Sequence, residues 1–273
     1  AKELNLLGPG SKYLILDCGG GTVDITAHEV MRVKPLKLHE TIPPEGGPWG
    51  AMEVNKAYRH FLKELFGEAI FSLLQKHLPK TFHDIMVEFE KKKRGDISIK
   101  DNRYIYELAD VLGYLHDKPG SGYDGETTIQ DLAHAYNERH PSAQIETSDR
   151  RFKRGKLLLS EELWKSFYKP TFCSIVAKTK DILHGRPEIK TIVVVGGFGE
   201  SPYLQERVRC EFGDTHTVIV PEQPPPQAAI EAGAVYYGLY QSCIGSRKSR
   251  YHYGDRKHIV YKPGCGFSES DVA

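Results

Sequence analysis

Two short apolar runs, each followed by glycines, stand out in the pattern of hydrophobic and polar positions along this chain. Residues 13–16 are apolar and predict a buried strand that ends at Asp17. Three glycines follow at 19–21, and apolar residues then alternate with polar ones from Val23 to Ala27, which predicts a second strand. The simplest arrangement of these two strands is an antiparallel hairpin with a glycine turn between them.

The second apolar run, residues 191–195, meets the segment Gly-Gly-Phe-Gly-Glu at positions 196–200. Ser201 in the N-cap position and Pro202 in the first helical position then predict the start of a helix. A helix N-terminus that faces a glycine turn favours an anionic or nucleotide ligand. The alternative is an ordinary strand-to-helix connection of an α/β sheet.

The remaining pattern predicts an α/β chain made of one discontinuous unit and one insertion. We expect a subdomain formed by residues 1–45 and 159–245, an inserted subdomain over 46–158, and a C-terminal extension or linker over 246–273. The predicted elements are a third strand through 36–38, helices over 51–66, near 68–78, from 82 to 89, over 129–137 and from 160 toward 183 with a break at Pro170, a strand over 216–220 and a helix over 227–240.

The residues around the first glycine turn suit phosphate chemistry. Three glycines let the backbone approach a ligand closely and aim several N–H groups at one point, as in phosphate-binding nests. Asp17 and Asp24 flank the turn with carboxylates that suit Mg²⁺ held through water, and Thr22 adds a hydroxyl group. The alternative is a tight hairpin in which the glycines serve only to reach positive φ.

Composition indicates the general class of protein but does not indicate which ligand it binds. The chain has 273 residues, 40% of them hydrophobic and 27% charged, with a net charge of +1, which is typical of a soluble globular protein. A net charge of +1 does not favour binding to nucleic acid, so we interpret the basic and aromatic stretch 247–257 as an edge strand or linker. No apolar run is long enough to span a bilayer.

Cysteine usage and motif searches exclude several chemistries. The five cysteines form no C-x-x-C pair, which favours reduced cysteines and a cytoplasmic location. The twelve histidines show no zinc-ligand spacing, and no Gly-x-Ser-x-Gly motif of a serine hydrolase occurs. The chain begins at Ala1 rather than at a methionine, and we expect it to be a piece of a longer protein.

The two glycine segments resemble the motifs of a known superfamily. Residues 17–24, Asp-Cys-Gly-Gly-Gly-Thr-Val-Asp, resemble the second phosphate motif of the actin, hexokinase and heat-shock ATPases, and residues 193–202 resemble their adenosine motif. The order and separation are similar to those in the second lobe of the 70 kDa heat-shock proteins. Together with residues 246–254, the chain looks most like their divergent twelfth subfamily. This resemblance implies an actin-like, ribonuclease H-like α/β lobe with a mixed sheet, flanking helices and an inserted α+β subdomain that caps the nucleoside.

The resemblance also implies roles for particular residues, with ATP or ADP and Mg²⁺ as ligands. The first turn would hold phosphate oxygens, two carboxylates would hold Mg²⁺ through water, and Thr22 would lie near the attacking water. The second turn and a Glu-x-x-Lys-Arg motif would hold the nucleoside, although the motif also suits an ordinary helix end. The residues concerned are Asp17, Gly19, Gly20, Gly21, Thr22, Asp24, Glu90, Lys93, Arg94, Gly196, Gly197, Phe198 and, by a looser match, Gly50.

Three positions depart from the common heat-shock pattern. Phe198 replaces a serine, Glu200 an arginine and Gln227 an aspartate, and the Phe198 ring could stack on adenine instead. The resemblance implies the ATP-binding lobe of an atypical chaperone of the stress response. Its partners would be the missing first lobe of the same ATPase domain and client or co-chaperone proteins. Without that lobe, we expect no ATP hydrolysis. The alternatives are a nucleotide-sensing scaffold without turnover and a small-molecule kinase of the same superfamily.

Overall fold

The computed structural model describes residues 8–95, 98–100, 103–109, 111–147, 154–249 and 251, without the side chains of residues 98–109 and 154–156. Within these ranges the strands are β1 (Lys12–Cys18), β2 (Val23–Val33), β3 (Leu36–Glu40), β4 (Glu45–Gly47), β5 (Ser98–Lys100), β6 (Arg103–Ala109), β7 (Ile145–Thr147), β8 (Arg154–Ser160), β9 (Ile189–Val195), β10 (Thr217–Ile219) and β11 (Ile244–Ser246). The helices are α1 (Ala51–His77), α2 (Pro79–Lys93), α3 (Val111–His116), α4 (Ile129–Arg139), α5 (Glu161–Leu183), α6 (Pro202–Phe212) and α7 (Pro226–Leu239). Most of the predicted C-terminal extension lies outside the described residues.

The larger sheet of the described part is mixed and has the order β10-β9-β1-β2-β3-β11, with β4 paired to β2. Strands β1, β2 and β3 form the antiparallel meander that the sequence predicts. Strand β9 adds in parallel to the other side of β1, and β10 adds in parallel to β9. The chain reaches β9 only after a long excursion, so two segments far apart in sequence become neighbours in the centre of the sheet.

Alternation along the central strands gives the sheet two apolar faces. Leu14 and Leu16 of β1 belong to the main core, as do Ile192 and Val194 of β9. The intervening residues on the same two strands, among them Tyr13, Val193 and Val195, form a smaller cluster on the opposite face, where Ala229 of α7 packs. This two-sided burial explains why residues 192–195 are apolar without interruption, as in buried strands of parallel sheets.

Helices α1, α2 and α5 pack together through aromatic side chains. The rings of Tyr58 and Phe89 stack with centroids 3.9 Å apart, and Phe167 meets both rings edge-on. Trp164 is fully buried beside Phe89. Large aromatic surfaces of this kind dominate core energetics, so α2 is held firmly where its last turn approaches α1.

Two helical predictions can be compared directly with the structure. The pattern predicts separate helices before and after Gly67, and α1 is interrupted there by a non-helical residue with φ 72° and ψ 161°. The predicted break at Pro170 is wrong, because α5 continues through this proline from Glu161 to Leu183. A proline inside a helix removes one backbone hydrogen bond, but buried residues lie on both sides of Pro170 and tertiary packing outweighs that loss.

A second sheet of the described part has the order β5-β6-β8-β7, and all its pairings are antiparallel. Its strands lie between Ser98 and Ser160, and α4 accompanies it with a capping box between Thr128 and Asp131. Ser160 accepts a hydrogen bond from the Leu163 amide and so caps α5. The division into a discontinuous subdomain and an insertion over 46–158 remains our proposal.

No helix within the described residues is both long enough and apolar enough to cross a membrane. The four cysteines in the described part, Cys18, Cys173, Cys210 and Cys243, are all free thiols.

Candidate functional site

The parallel pairing of β1 with β9 brings the two glycine turns together. Asp17, near the end of β1, is in register with Val195, the last residue of β9. Gly196 follows at once, and a Cβ atom placed on it would lie 2.4 Å from Asp17 Oδ1 and 2.5 Å from the Cys18 carbonyl oxygen. The two turns therefore lie at the same edge of the sheet, where ligands bind in open α/β folds.

The first turn, residues 19–22, is open toward solvent. The Gly19 amide donates to the Thr22 carbonyl and closes the hairpin, whereas no described backbone carbonyl accepts from the amides of Gly20 and Gly21. Neither of these two glycines has φ in the left-handed region, and an added Cβ would meet no atom within 4 Å. The alternative that these glycines serve only to reach positive φ is therefore disfavoured, and space for a ligand is the better reason for them.

The two carboxylates beside this turn face each other across the hairpin. Asp17 is in register with Asp24 on the neighbouring strand, and Thr22 Oγ1 donates to Asp24 Oδ2 at 3.0 Å. Partial burial raises the pKa of Asp17, and the negative charge of Asp24 raises it further. Like charges directly opposite each other in a sheet are unfavourable, so this pair is suited to receive a cation.

The donor set at the first turn fits a hard cation with few protein ligands. Two carboxylates and a hydroxyl group provide only oxygen, which is the donor type that Mg²⁺ prefers. Among the described residues, no group of three or more His, Cys, Asp or Glu side chains is placed to hold a metal ion. Any Mg²⁺ at Asp17 and Asp24 would therefore take most of its ligands from water and phosphate.

The N-terminus of α1 sets the position of the first turn. The amides of Gly50, Ala51 and Met52 donate to the carbonyls of Gly21, Gly19 and Gly20 at 3.2, 3.1 and 2.8 Å, respectively. A Cβ on Gly50 would lie 2.4 Å from the Gly20 oxygen. Gly50 thus allows the α1 backbone to approach the backbone of the first turn closely. It packs against that turn and does not face the space that a ligand would occupy.

The second turn differs from the simple strand-turn-helix prediction. A 3₁₀ turn over Gly197–Glu200 separates Gly196 from α6, and the buried Ser201 hydroxyl makes no hydrogen bond within the described part of the chain. The Gly196 amide donates to the Pro226 carbonyl at 2.9 Å, which ties this turn to the start of α7. The second turn is therefore anchored on the helix that follows β10.

Two residues that depart from the common heat-shock pattern meet beside this turn. The backbone N–H of Gln227 donates to Glu200 Oε1 at 3.4 Å, a long hydrogen bond. Phe198, the third departure, is only 4% exposed, and its ring stacks on Tyr168 with centroids 6.3 Å apart. The suggestion that the Phe198 ring stacks on adenine is wrong for this conformation, because the ring belongs to the core.

The Glu-x-x-Lys-Arg motif forms a hydrogen-bonded cluster at the end of α2. Lys93 Nζ donates to Glu90 Oε2 at 2.6 Å and to Asn55 Oδ1 at 2.8 Å, and Asn55 Nδ2 donates to Glu90 Oε2 at 3.0 Å. Arg94 Nε donates to Glu90 Oε1 at 3.1 Å, and its side chain is largely exposed. The motif is thus divided between a buried lysine and an exposed arginine.

The charge state of Glu90 follows from this cluster. Burial raises the pKa of Glu90, but hydrogen bonds from Lys93, Asn55 and Arg94, together with the charge of Lys93, outweigh burial and leave that pKa below its usual range. Asn55 was missed by sequence reasoning, since a lone asparagine inside a helical pattern carries no signal. Its position four residues after Ala51 matters only once α1 and α2 are packed side by side.

Comparisons with known proteins agree with this geometry. Human heat shock 70 kDa protein 12A is 31% identical to the chain over 252 residues, covering 91% of this chain and 35% of that protein. Human heat shock 70 kDa protein 12B is 29% identical over 249 residues, covering 90% and 34%. A tRNA N6-adenosine threonylcarbamoyltransferase from Streptococcus pneumoniae is 30% identical over 135 residues, which cover 41% of this chain and 40% of that protein. No protein-family model matches the chain.

The mixed sheet with flanking helices and two adjacent glycine turns is a lobe of the actin-like ATPase superfamily, a nucleotide-binding fold. Within that superfamily, the chain belongs with the heat shock 70 kDa protein 12 relatives, as its resemblance implied. The chain spans about a third of the length of these curated relatives, 35% for the human 12A protein.

The two glycines of the second turn should respond differently to alanine. Gly196 has φ 84° and its Cβ would overlap backbone and Asp17, whereas the nearest atom to a Cβ on Gly197 is Gln227 Oε1 at 3.8 Å. We expect Gly196→Ala to lower the free energy of unfolding by about 1–3 kcal/mol from its backbone conformation alone, since φ 84° with ψ 162° is a region that essentially only glycine occupies. Gly197→Ala should change it by less than about 0.5 kcal/mol. Urea denaturation of both variants checks this, and equal losses would contradict the close approach of Gly196 to β1.

Proposed function

We propose that this chain is the Mg-nucleotide-binding lobe of an atypical heat-shock-70-type chaperone ATPase. The observation that carries the proposal is the meeting of two glycine turns at one edge of the sheet, beside two facing carboxylates. Asp17 contributes to both sides of this arrangement, since it faces Asp24 and also borders Gly196. One ligand with both a phosphate end and a nucleoside end would use the whole edge.

Each part of the site has a role in this proposal. The exposed amides of Gly20 and Gly21 would bind phosphate oxygens. The Thr22 hydroxyl would join them by turning its one hydrogen from Asp24 toward the phosphate. Asp17 and Asp24 would hold Mg²⁺ through water, and the metal would supply neutralisation of phosphate charge. The backbone of residues 196–198, with Glu90 and Arg94, would border the nucleoside. In the intact protein, Thr22 would also lie near the attacking water.

The exposed helix α7 supports the proposal that a first ATPase lobe belongs opposite this site. It carries a single charged residue, Glu231, and its exposed apolar side chains include Val235 at 65% and Leu239 at 72%. Its first residue, Pro226, accepts the hydrogen bond from Gly196, so the helix begins at the site and runs away from it. The aligned residues cover only 35% of the human 12A relative, and a lobe from the remaining length would cover this apolar surface.

A nucleotide-sensing scaffold without turnover is the second candidate. The observation that favours it is the change of charge beside the second turn, where Glu200 and Gln227 replace the arginine and the aspartate of the common pattern. Glu200 accepts a hydrogen bond from the backbone amide of Gln227, so this position offers a carboxylate where the common pattern offers a cation. Client proteins, co-chaperones and a role in the stress response belong to the proposal for the whole protein.

Nucleotide binding by the 273-residue chain tests the proposal directly. We expect adenosine, ADP and ATP to bind with similar, weak affinity in calorimetric titrations, because one wall of the cleft would leave the γ-phosphate in water. We expect no steady ATP hydrolysis, since phosphoryl transfer needs positioning and charge stabilisation from all sides. No measurable binding of any of the three would contradict the proposal. Hydrolysis that Asp17→Ala abolishes would show instead that the second wall comes from elsewhere, such as a dimer partner.

Replacing Asp17 separates its metal role from its role in stability. The raised pKa of Asp17 means that the folded state disfavours its ionised form, so Asp17→Asn should not lower the free energy of unfolding at pH 7. It should weaken the Mg²⁺-dependent part of ADP affinity by about 10- to 100-fold, the range for outer-shell partners of metals. In the unaltered chain, the Mg²⁺-dependent part of ADP affinity should decrease as the pH falls through the raised pKa of Asp17, because the protonated carboxyl group no longer attracts the cation.

Asp214→Asn is the matched control for this substitution. Asp214 is an exposed aspartate in the loop after α6, so its replacement should leave the Mg²⁺ dependence of ADP affinity unchanged. Identical Mg²⁺ dependence in the Asp17→Asn variant and this control would remove the metal role of Asp17.

A further inference from the structure

Lys93 is buried in a way that prevents it from serving a ligand in this conformation. Its side chain is 3% exposed, and Nζ donates to the Ala51 carbonyl at 3.3 Å as well as to Asn55 and Glu90. A lysine ammonium group has three N–H donors, so all three are used inside the protein. The resemblance implies that Lys93 holds the nucleoside, whereas its contacts point inward to α1.

The side chain of Lys93 reaches the backbone that positions the first glycine turn. It contacts the carbonyl of Ala51, whose own amide donates to the Gly19 carbonyl. Asn55, the second acceptor, lies one helical turn further along α1. Lys93 therefore fixes the first turn of α1, and that helix end in turn holds the carbonyls of residues 19–21.

The backbone around Lys93 reaches the second glycine turn. Its carbonyl accepts a hydrogen bond from the Tyr168 hydroxyl at 3.4 Å, and the Tyr168 ring stacks on Phe198 within the 3₁₀ turn. Two residues further on, a Cβ on Gly95 would lie 3.2 Å from Pro202, the first residue of α6. The end of α2 thus also borders the second turn, through its backbone rather than through the Lys93 side chain.

We propose that Lys93 is a positioning residue whose side chain fixes the N-terminus of α1 behind the first glycine turn, rather than a side chain that binds the nucleotide. A buried ammonium is not needed for stability, since well-packed apolar side chains often replace buried ion clusters without loss. Its directional hydrogen bonds explain its presence better, because they define one arrangement of α1 against α2. The inference on positioning rests on these contacts, and its consequence for ligands rests on the proposed nucleotide site.

Hydrogen exchange of the ligand-free 273-residue chain tests the positioning role without any nucleotide. Lys93→Met removes the three hydrogen bonds and keeps an unbranched apolar side chain of similar length. We expect the amides of residues 50–52 to exchange about tenfold faster, because they are bonded to the first turn and lose their support from Lys93. Exchange in β9 should stay the same, which distinguishes a local effect from a general loss of stability.

Two further variants keep the test decisive. Lys91→Met is the matched control, since Lys91 lies on the same helix but is exposed, and it should leave exchange at residues 50–52 unchanged. Asn55→Ala removes one partner of Lys93 and should raise exchange at the same amides, with no further rise when it is combined with Lys93→Met. This pair also covers the case in which Lys93→Met alone fails to fold. Unchanged exchange at residues 50–52 in the Asn55→Ala variant or in a folded Lys93→Met variant would overturn the inference.

Titration with adenosine and Mg·ADP then distinguishes positioning from direct contact. A positioning role predicts that Lys93→Met reduces the affinity gain from the phosphates by about tenfold and changes adenosine affinity less, because the first turn is displaced. Equal losses for adenosine and ADP would show that Lys93 contacts the nucleoside and would overturn the inference. If neither ligand binds the unaltered chain, the proposed function fails, while the exchange result still decides the positioning role.

Discussion

The parallel pairing of β1 with β9 is the interaction on which the candidate site depends. It joins two segments about 175 residues apart in sequence and places Asp17 level with Val195, so that both strands end at the same edge. Six residues of β1 are in register with β9, from Lys12 to Asp17, and the apolar side chains of both strands are buried on both faces of the sheet. A slip of one residue would turn every one of these side chains to the opposite face, so that residues packed in the main core would exchange places with those of the smaller cluster. Burial therefore fixes the register, and the register fixes the site.

Glycine is present in the two turns for different reasons. Gly196 is needed because a side chain would collide with Asp17 and Cys18, and because essentially only glycine adopts its backbone conformation. Gly20 and Gly21 satisfy no such local need, which is why their openness favours a ligand. The first turn is instead held by the N-terminus of α1. The amides of residues 50–52 there donate to the carbonyls of the three turn glycines. In this arrangement the packing of α1 on α2, through Tyr58 and Phe89, controls the geometry of a turn that neither helix contains.

Local patterns predicted strands β1, β2, β3, β9 and β10, the hairpin and the carboxylates at its ends, because alternation and glycine placement act over a few residues. The second sheet, β5 to β8, was not predicted. The Pro170 break was wrong since propensity ignores the buried residues on both sides of that proline. The role of Asn55, the inward orientation of Lys93 and the burial of Phe198 could not be predicted, because each depends on a neighbour more than 25 residues away in sequence. The Glu-x-x-Lys-Arg motif shows that a sequence pattern does not predict burial, since its lysine is buried and the adjacent arginine is exposed.

The central claim is that both glycine turns belong to one nucleotide site, and nuclear magnetic resonance tests it at the level of single amides. In a titration of the 273-residue chain with Mg·ADP, the account predicts that the amide signals of Gly20, Gly21 and Gly197 shift together and follow one dissociation constant. Adenosine alone should shift Gly197 and leave Gly20 and Gly21 nearly unchanged. Shifts confined to one turn under Mg·ADP, or two different dissociation constants, would contradict a shared site.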